Sequence, residues 1–314
     1  MSFGLVVQVV ISGLAAGAVY GLVAIGFALV WRLTSVLQLA YGDFVGGSMF
    51  LVLVVAAGTG PVTATNVSVW RYLIAIAVTL AAGAAAGSLF YFGILRPFIR
   101  RGSTLGWIGA VVAVALVIEG ALASAFPREA YVLPDPLPFT RWAPISLPGG
   151  ASLPVRTIWI LFVGLTLAAA TGYLLTRTRF GSAVQAVSSE PVGAQIVGLP
   201  IDRLTALAFA VAGVLAGLAA IVGTPAGGTI TTQTGLLLGL KAIAAALLGG
   251  LGSPSRVYRA ALLLGVFEAA VVNFHVPGFP SLSFGPAWGD VAPLALVLVF
   301  IAFRAGRSMR EPVE

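Results

Sequence analysis

Four ionisable residues stand in otherwise apolar stretches: Asp43 in LQLAYGDFVGG, Glu119 in VIEGAL, Lys241 in GLKAIAA and Glu268 in GVFEAAV. Carboxylates and an amine without a nucleophile beside them can pair, hold a proton or small cation, or meet a charged ligand. A charge at the bilayer centre costs about 2.5–3.5 kcal/mol on insertion scales, so it is expected to face the bundle interior and to find a partner. A Glu–Lys pair inside the bundle is therefore expected, with Glu119 and Glu268 as intramembrane structural charges. Such a pair is weak grounds for stability by itself. Asp43, near the start of its segment, could pair with Arg32 or cap a broken helix beside a pathway. Lys241 is a translocation or gating candidate. His275, the one histidine, has no acidic residue at helical spacing and reads as interfacial rather than metal-binding.

Other chemistry is absent from the sequence. There is no HExxH, no GxSxG elbow, no GxxxxGK[ST] phosphate loop and no cysteine. A hydrolytic or thiol enzyme is thus disfavoured. If ATP drives this chain, another chain must bind the ATP.

The elements that position these charges are membrane helices. Of the 314 residues, 59% are hydrophobic and only 9% charged, and mean hydropathy is +1.06. A soluble domain carries roughly 25% charged residues. The fold class is an all-α integral membrane protein, multi-pass in the cell (inner or plasma) membrane, formed as one domain over 1–314. A span needs about 20 apolar residues. Nine segments qualify: 5–30, 36–57, 71–95, 105–126, 157–176, 204–223, 236–251, 257–275 and 289–303, with eight or ten as neighbouring counts. The first is too long for the apolar part of a signal peptide and reads as a span. Segments two and seven are interrupted by glycine or polar residues and could be broken or re-entrant. Segments one to five and six to nine could be inverted repeats in which segments two and seven correspond.

Arginine sets the orientation. Twelve arginines fall at loops of one parity and four at the other. The N-terminus is thereby expected outside and the C-terminus inside. The net charge of +7 reads as topology, not as a nucleic-acid surface. Small residues recur at four-residue spacing in Gly13, Gly17 and Gly21, in Gly83 and Gly87, and in Gly213 and Gly217, as close helix packing in lipid requires.

Two loops stand out. Residues 127–156, with seven prolines, form an extracytoplasmic loop. Residues 177–203, RTRFGSAVQAVSSEPVGAQIVGLPIDR, form a cytoplasmic one. Ser189 could cap a short helix with Pro191 in its first turn, and Gly198 and Pro200 would end it. Val192, Gln195 and Ile196 would share a face suited to a groove in a soluble partner.

This loop resembles the cytoplasmic coupling segment of the branched-chain amino acid ABC transporter permeases. It matches the family pattern at Gly181, Ala183, Ala186, Val187, Ala194, Gly198 and Asp202, and departs from it at Gln185, Ser188, Glu190 and Leu199. LQLAYGDFVGGSMF resembles a second family element, kept at Ala40, Gly42, Asp43 and Phe44, with Gln38 and Tyr41 in place of the usual Asn and His. GLKAIAAALLGGLGS, from Gly239 to Ser253, is similar to a third, and Glu268 and Asp290 stand where the family has Glu and Asp. The resemblance covers nearly the whole chain and is nearest the shorter, H-type subunit.

The resemblance implies a permease subunit of an ATP-binding cassette importer. It implies a second permease as heterodimer partner, two ATP-binding subunits that hydrolyse ATP, and an extracytoplasmic substrate-binding protein. No cofactor would be bound by this chain, whose remaining neighbour is the lipid bilayer. The implied coupling residues are Gly181, Ala183, Ala186, Pro191, Ala194, Gly198 and Asp202. Gln38, Tyr41, Gly42 and Asp43 join Lys241 as translocation candidates. Leucine, isoleucine and valine are the expected substrates. Urea or a short amide is the alternative substrate class, and an ion-coupled secondary transporter is the alternative machine.

Overall fold

The computed structural model describes residues 3–35, 38–57, 68–102, 104–127, 130–132, 143–146, 150–223, 229–274, 285 and 288–308. His275 and part of the 127–156 loop lie outside them. Each apolar segment falls on a helix: α1 (Phe3–Thr34), α2 (Tyr41–Ala57), α3 (Val69–Phe90), α5 (Thr104–Ala125), α6 (Val155–Arg177), α9 (Ile201–Gly223), α10 (Thr234–Gly249), α11 (Pro254–Val272) and α12 (Trp288–Ser308). Helix α3 continues through a π turn, Tyr91–Leu95, into α4 (Arg96–Arg100). Two further helices, α7 (Arg179–Ser189) and α8 (Pro191–Ile196), lie between α6 and α9. In the 127–156 loop a short hairpin pairs β1 (Ile145–Ser146) with β2 (Ser152–Leu153).

Among the described residues, five helical stretches are long and apolar enough to cross a membrane: α1, α3 to α4, α5, α6 and α9. Helices α2 and α10 have 17 and 16 residues. At 1.5 Å per residue they reach only about 25 Å, short of a hydrocarbon core of about 30 Å. Their ends must lie within the protein, where irregular backbone can be satisfied. The start of α2 illustrates this. Gln38, Ala40 and Tyr41 are buried there, and the Tyr41 hydroxyl donates to the Ala212 carbonyl, halfway along α9, at 2.7 Å. Helix α10 ends in a Schellman-type turn: Gly250 has φ +79° and the Leu251 N–H reaches the Ala246 carbonyl at 3.1 Å.

Helix α1 is apolar all round and lies in the middle of the bundle, with Ala18, Leu22, Val23 and Ala24 fully enclosed. It packs mainly on α11, and also on α9, α10 and α6. Helix α9 in turn packs on α3, and α2 packs on α9 and α10. The closest approaches run through glycine. A Cβ on Gly13 or Gly17 would run into α11 backbone around Ala261, Leu262 and Gly265, and one on Gly83 or Gly87 into α9 backbone at Gly213 or Phe209. Gly42 and Gly46 meet Gly239 and Gly235 in the same manner. In lipid, where apolar helices gain nothing by leaving the solvent, this backbone contact carries the association.

Pro97 accounts for the π turn. It has no N–H for the Gly93 carbonyl and its ring crowds that turn, and a π turn widens the helix just before it. Tyr91 and Leu95, at the two ends of this turn, are buried.

Replacing Gly83 by Leu should separate α3 from α9 and destabilise the protein by about 1–3 kcal/mol or more. Gly172→Leu, whose new Cβ would meet nothing within 4 Å, should leave stability unchanged. Thermal unfolding of both variants in detergent, followed by gel filtration, checks the contrast.

Candidate functional sites at the two ends of the bundle

The expected intramembrane pair is present, and it is larger than a pair. The Lys241 ammonium donates to Glu268 Oε1 at 2.8 Å and contacts Asp290 Oδ1 at 2.8 Å. The Tyr20 hydroxyl stands at 3.5 Å. One cation thus ties α10, α11, α12 and α1. Lys241 and Glu268 are largely enclosed, whereas half of the Asp290 side chain is exposed. Glu119 does not join them. It lies half-buried on α5 and makes no ion pair among the described residues.

The exposed side of this cluster faces a cavity of about 520 Å³. Its wall is apolar, with Ala16, Val19 and Leu238 among its residues, and its polar groups include Ser12, Arg156, Lys241 and Asp290. A second cavity, about 780 Å³, lies at the other end of the bundle between α1, the π turn, α4, α8 and α9. Ser12 lines the first and Leu33 the second. Twenty-one residues of one helix put them about 32 Å apart, close to the thickness of a hydrocarbon core.

Asp43 lies in the first turn of α2, and its Oδ2 has no hydrogen-bond partner; the same holds for Gln38 Oε1 just before the helix. Of the two expectations for Asp43, the pair with Arg32 is absent among the described residues, and Asp43 instead lies buried in the first turn of the short helix α2. Glu119, on α5, acts on it electrostatically. Tyr41 closes over Gly26, and Gly42 lies against α10. The structure brings Gln38 to Asp43 together around the start of α2.

The second cavity is bordered by the 177–203 loop. Asp202, in the first turn of α9, accepts from Arg96 at 2.7 Å, from Arg100 and from the Tyr91 hydroxyl at 3.0 Å. These bonds fix the root of the loop to the end of α3. Thr178 caps α7, its hydroxyl accepting from the Gly181 N–H at 3.3 Å. Gly181 is buried at a point where a side chain would strike the Leu175 carbonyl. Glu190, not Ser189, precedes α8, and the Ser189 hydroxyl instead donates to the Gln185 carbonyl at 2.8 Å. Pro191 begins α8, as expected, and Gly198, with φ +84°, follows its end.

The two faces of α8 differ. Ala194 is only 6% exposed and packs with Val187 and Leu204. It seats the helix and presents nothing outward. Ala183 is half-buried beside it, and Ala186 is exposed on α7. The outward residues are Val192, Gln195 and Ile196, as expected, with Val197 just after the helix; Ile196 and Val197 are exposed at 81% and 82%. Tyr20, Arg96 and Arg100 were not singled out by the sequence. A tyrosine in an apolar helix and arginines at a helix end carry no local mark of their distant partners.

Lys241→Met leaves two carboxylates facing each other and should cost about 3–5 kcal/mol. Glu268→Gln leaves Lys241 its bond to Asp290 and should cost less, about 1–3 kcal/mol. Yield and melting temperature of the two purified variants check the order.

Residues 9–301 match the model of the family described as branched-chain amino acid transport system / permease component. The chain is 26% identical over 308 residues to the high-affinity branched-chain amino acid transport system permease protein BraD of Pseudomonas aeruginosa, covering 97% of this chain and 96% of that one. It is 25% identical over 315 residues to permease protein LivH of the corresponding system of Escherichia coli, covering 98% and 96%. It is 34% identical over 230 residues to the autoinducer 2 import system permease protein LsrC of Klebsiella pneumoniae, covering 72% and 61%. No solved structure matches. A multi-pass, all-α chain matched over nearly its whole length, this protein belongs to the branched-chain amino acid transport system permease component family.

Proposed function

We propose that the chain is the H-type permease subunit of an ATP-binding cassette importer for branched-chain amino acids. It lies in the inner membrane with about nine segments, of which α2 and α10 are too short to cross the hydrocarbon core unaided, with the N-terminus outside and the C-terminus inside. A second permease completes the membrane part, two ATP-binding subunits dock on α7 and α8, and an extracytoplasmic protein delivers substrate. The 127–156 loop faces that protein. The observation that carries the reading is the α7–α8 unit: buried Val187 and Ala194 seat it, and Val192, Ile196 and Val197 project from it. It stands at the bundle end that holds Arg96, Arg100 and Arg203, the end the arginine distribution assigns to the cytoplasm. Exposed apolar residues on a short helix, beyond the bilayer, suit a groove in a soluble subunit.

The packing supports an inverted repeat. GAVYGLVAI, residues 17–25 of α1, is similar to GVLAGLAAI, residues 213–221 of α9. Helix α1 packs on α11 as α9 packs on α3, and α10 on α1 as α2 on α9. The two short helices then correspond and meet each other through Gly42, Gly46, Gly235 and Gly239. Two such halves rocking about the glycine contacts would supply alternating access. The substrate assignment follows BraD and LivH, which match over nearly the full chain. The autoinducer 2 import relatives make autoinducer 2 the competing cargo.

Ile196→Arg should leave membrane insertion intact while lowering substrate-stimulated ATP hydrolysis by the assembled complex at least about tenfold, the equivalent of one lost hot-spot contact. Ala194→Arg should instead unseat α8 and lower the yield of folded chain. Unchanged ATPase coupling in Ile196→Arg would contradict the docking assignment.

A further inference from the structure

The cavity at the arginine-rich end holds more positive charge than its one carboxylate can match. Arg96 and Arg100 of α4 and Arg203 in the first turn of α9 line it together with Asp202. Two positive charges are therefore left without a counter-charge on the cavity wall. The Asp202 clamp fixes where these guanidiniums stand: Arg96 and Arg100 both reach Asp202 Oδ2, and Arg203 is the next residue along the chain. The clamp does not exhaust their donors. Arg96 uses Nε and Nη2, and Arg100 uses Nη2, of the five N–H groups that each guanidinium presents. Arg203 is exposed and makes no ion pair among the described residues. Guanidiniums with spare donors are suited to the oxygens of a phosphate.

The surroundings say which phosphate. The stretch from α3 to α4 is long and apolar enough to cross a membrane, and Arg96 and Arg100 stand at its end, where lipid headgroups lie. Phe92 and Ile99 line the same cavity and are exposed at 44% and 40%. The Arg96 guanidinium lies over the Phe92 ring, 5.6 Å from its centroid. Leu89, about one turn earlier on α3, is 70% exposed. Charged donors beside exposed apolar side chains at the end of a span suit a phospholipid, whose phosphate meets the arginines while its acyl chains follow the helix. A free phosphate shares the charge chemistry but gains nothing from Leu89 or Phe92.

We propose that this cavity holds the phosphate of an anionic phospholipid. Arg100 and Arg203 are its donors, Arg96 is shared with Asp202, and the acyl chains lie along Phe92 and Leu89. The volume of about 780 Å³ lies within the roughly 300–1,000 Å³ of small-molecule sites. The bound lipid bridges α4 and α9 at the root of the 177–203 loop and lies beside Gln195 of α8. The site is independent of which substrate the chain carries.

The full chain, purified with its native subunits, is delipidated in non-ionic detergent. It is then titrated with phosphatidylglycerol or with phosphatidylcholine of the same acyl chains. Bound lipid is counted by native mass spectrometry. The tightest phosphatidylglycerol should bind at least about tenfold more strongly than phosphatidylcholine, the equivalent of one charge-assisted contact. Arg203→Gln, which leaves every bond to Asp202 in place, should weaken phosphatidylglycerol about tenfold and leave phosphatidylcholine unchanged. Arg71→Gln, at the opposite end of α3, should change neither. Arg100→Gln is the second variant should the first fail to assemble, since Arg96 and Tyr91 still hold Asp202. Equal binding of the two lipids, or phosphatidylglycerol binding that neither cavity variant weakens, overturns the site. Displacement of phosphatidylglycerol by inorganic phosphate at about 10 mM, a concentration that saturates sites with Kd of about 1 mM, gives the cavity to free phosphate and overturns the lipid assignment. Phosphatidylglycerol binding that appears only after the partner subunits are removed gives it to an acidic side chain of a partner and overturns the assignment as well.

Discussion

A lone ammonium inside a helix bundle is not tolerated, and the architecture around Lys241 is the response to that constraint. Its bonds to Glu268 and Asp290 connect α10 to α11 and α12, and Tyr20 brings in α1. Replacing such a cluster by apolar residues is often neutral or stabilising elsewhere, so stability alone does not explain it. Its position does more: it lies on the wall of the cavity at one end, about 10 Å along α10 from Thr234 by helix rise. The same contacts that satisfy the lysine leave one carboxylate turned toward the opening.

The rest of the bundle depends on close backbone contact. Glycines on α1, α3, α9 and α11 let the long helices touch, and glycines on α2 and α10 let the two short ones cross. Short helices and irregular backbone place polar atoms such as Gln38 Oε1 and Asp43 Oδ2 within the interior. At the arginine-rich end, Asp202 clamps the loop root to α3 and α4, and buried Val187 and Ala194 hold α7 and α8 against the bundle. Helix α8 thereby rests on α9, the helix that packs on α1, α2 and α3. Helix α9 therefore joins the α7–α8 unit to the glycine contacts of the bundle, and α1 joins those contacts to the charged cluster.

Much of this was legible in the residues. Every apolar segment became a helix, because a chain with so few charges can satisfy its backbone only that way in lipid. The Lys241–Glu268 pair followed from the cost of an unpaired charge. Asp290 as third member did not, because a carboxylate at the edge of a segment looks solvated in sequence. Asp202 was legible as a motif residue but not as a clamp, since Arg96 and Arg100 are about a hundred residues away. The outward face of α8 was partly read: Val192 and Ile196 do project, but a six-residue helix has too little periodicity to show that Ala194 turns inward. The π turn at Tyr91–Leu95 lay within a pattern that reads as continuous helix, with only Pro97 to mark it.

The central claim is that this chain conducts a branched-chain amino acid inward under the drive of ATP bound by other subunits. The most direct test is uptake of radiolabelled leucine by cells with and without this gene, with the proton and sodium gradients collapsed and ATP maintained. Gene-dependent uptake that persists is the predicted result. Gene-dependent uptake that disappears with the gradients would contradict the account and make Asp43, Glu119 and Glu268 the ion sites of a secondary transporter.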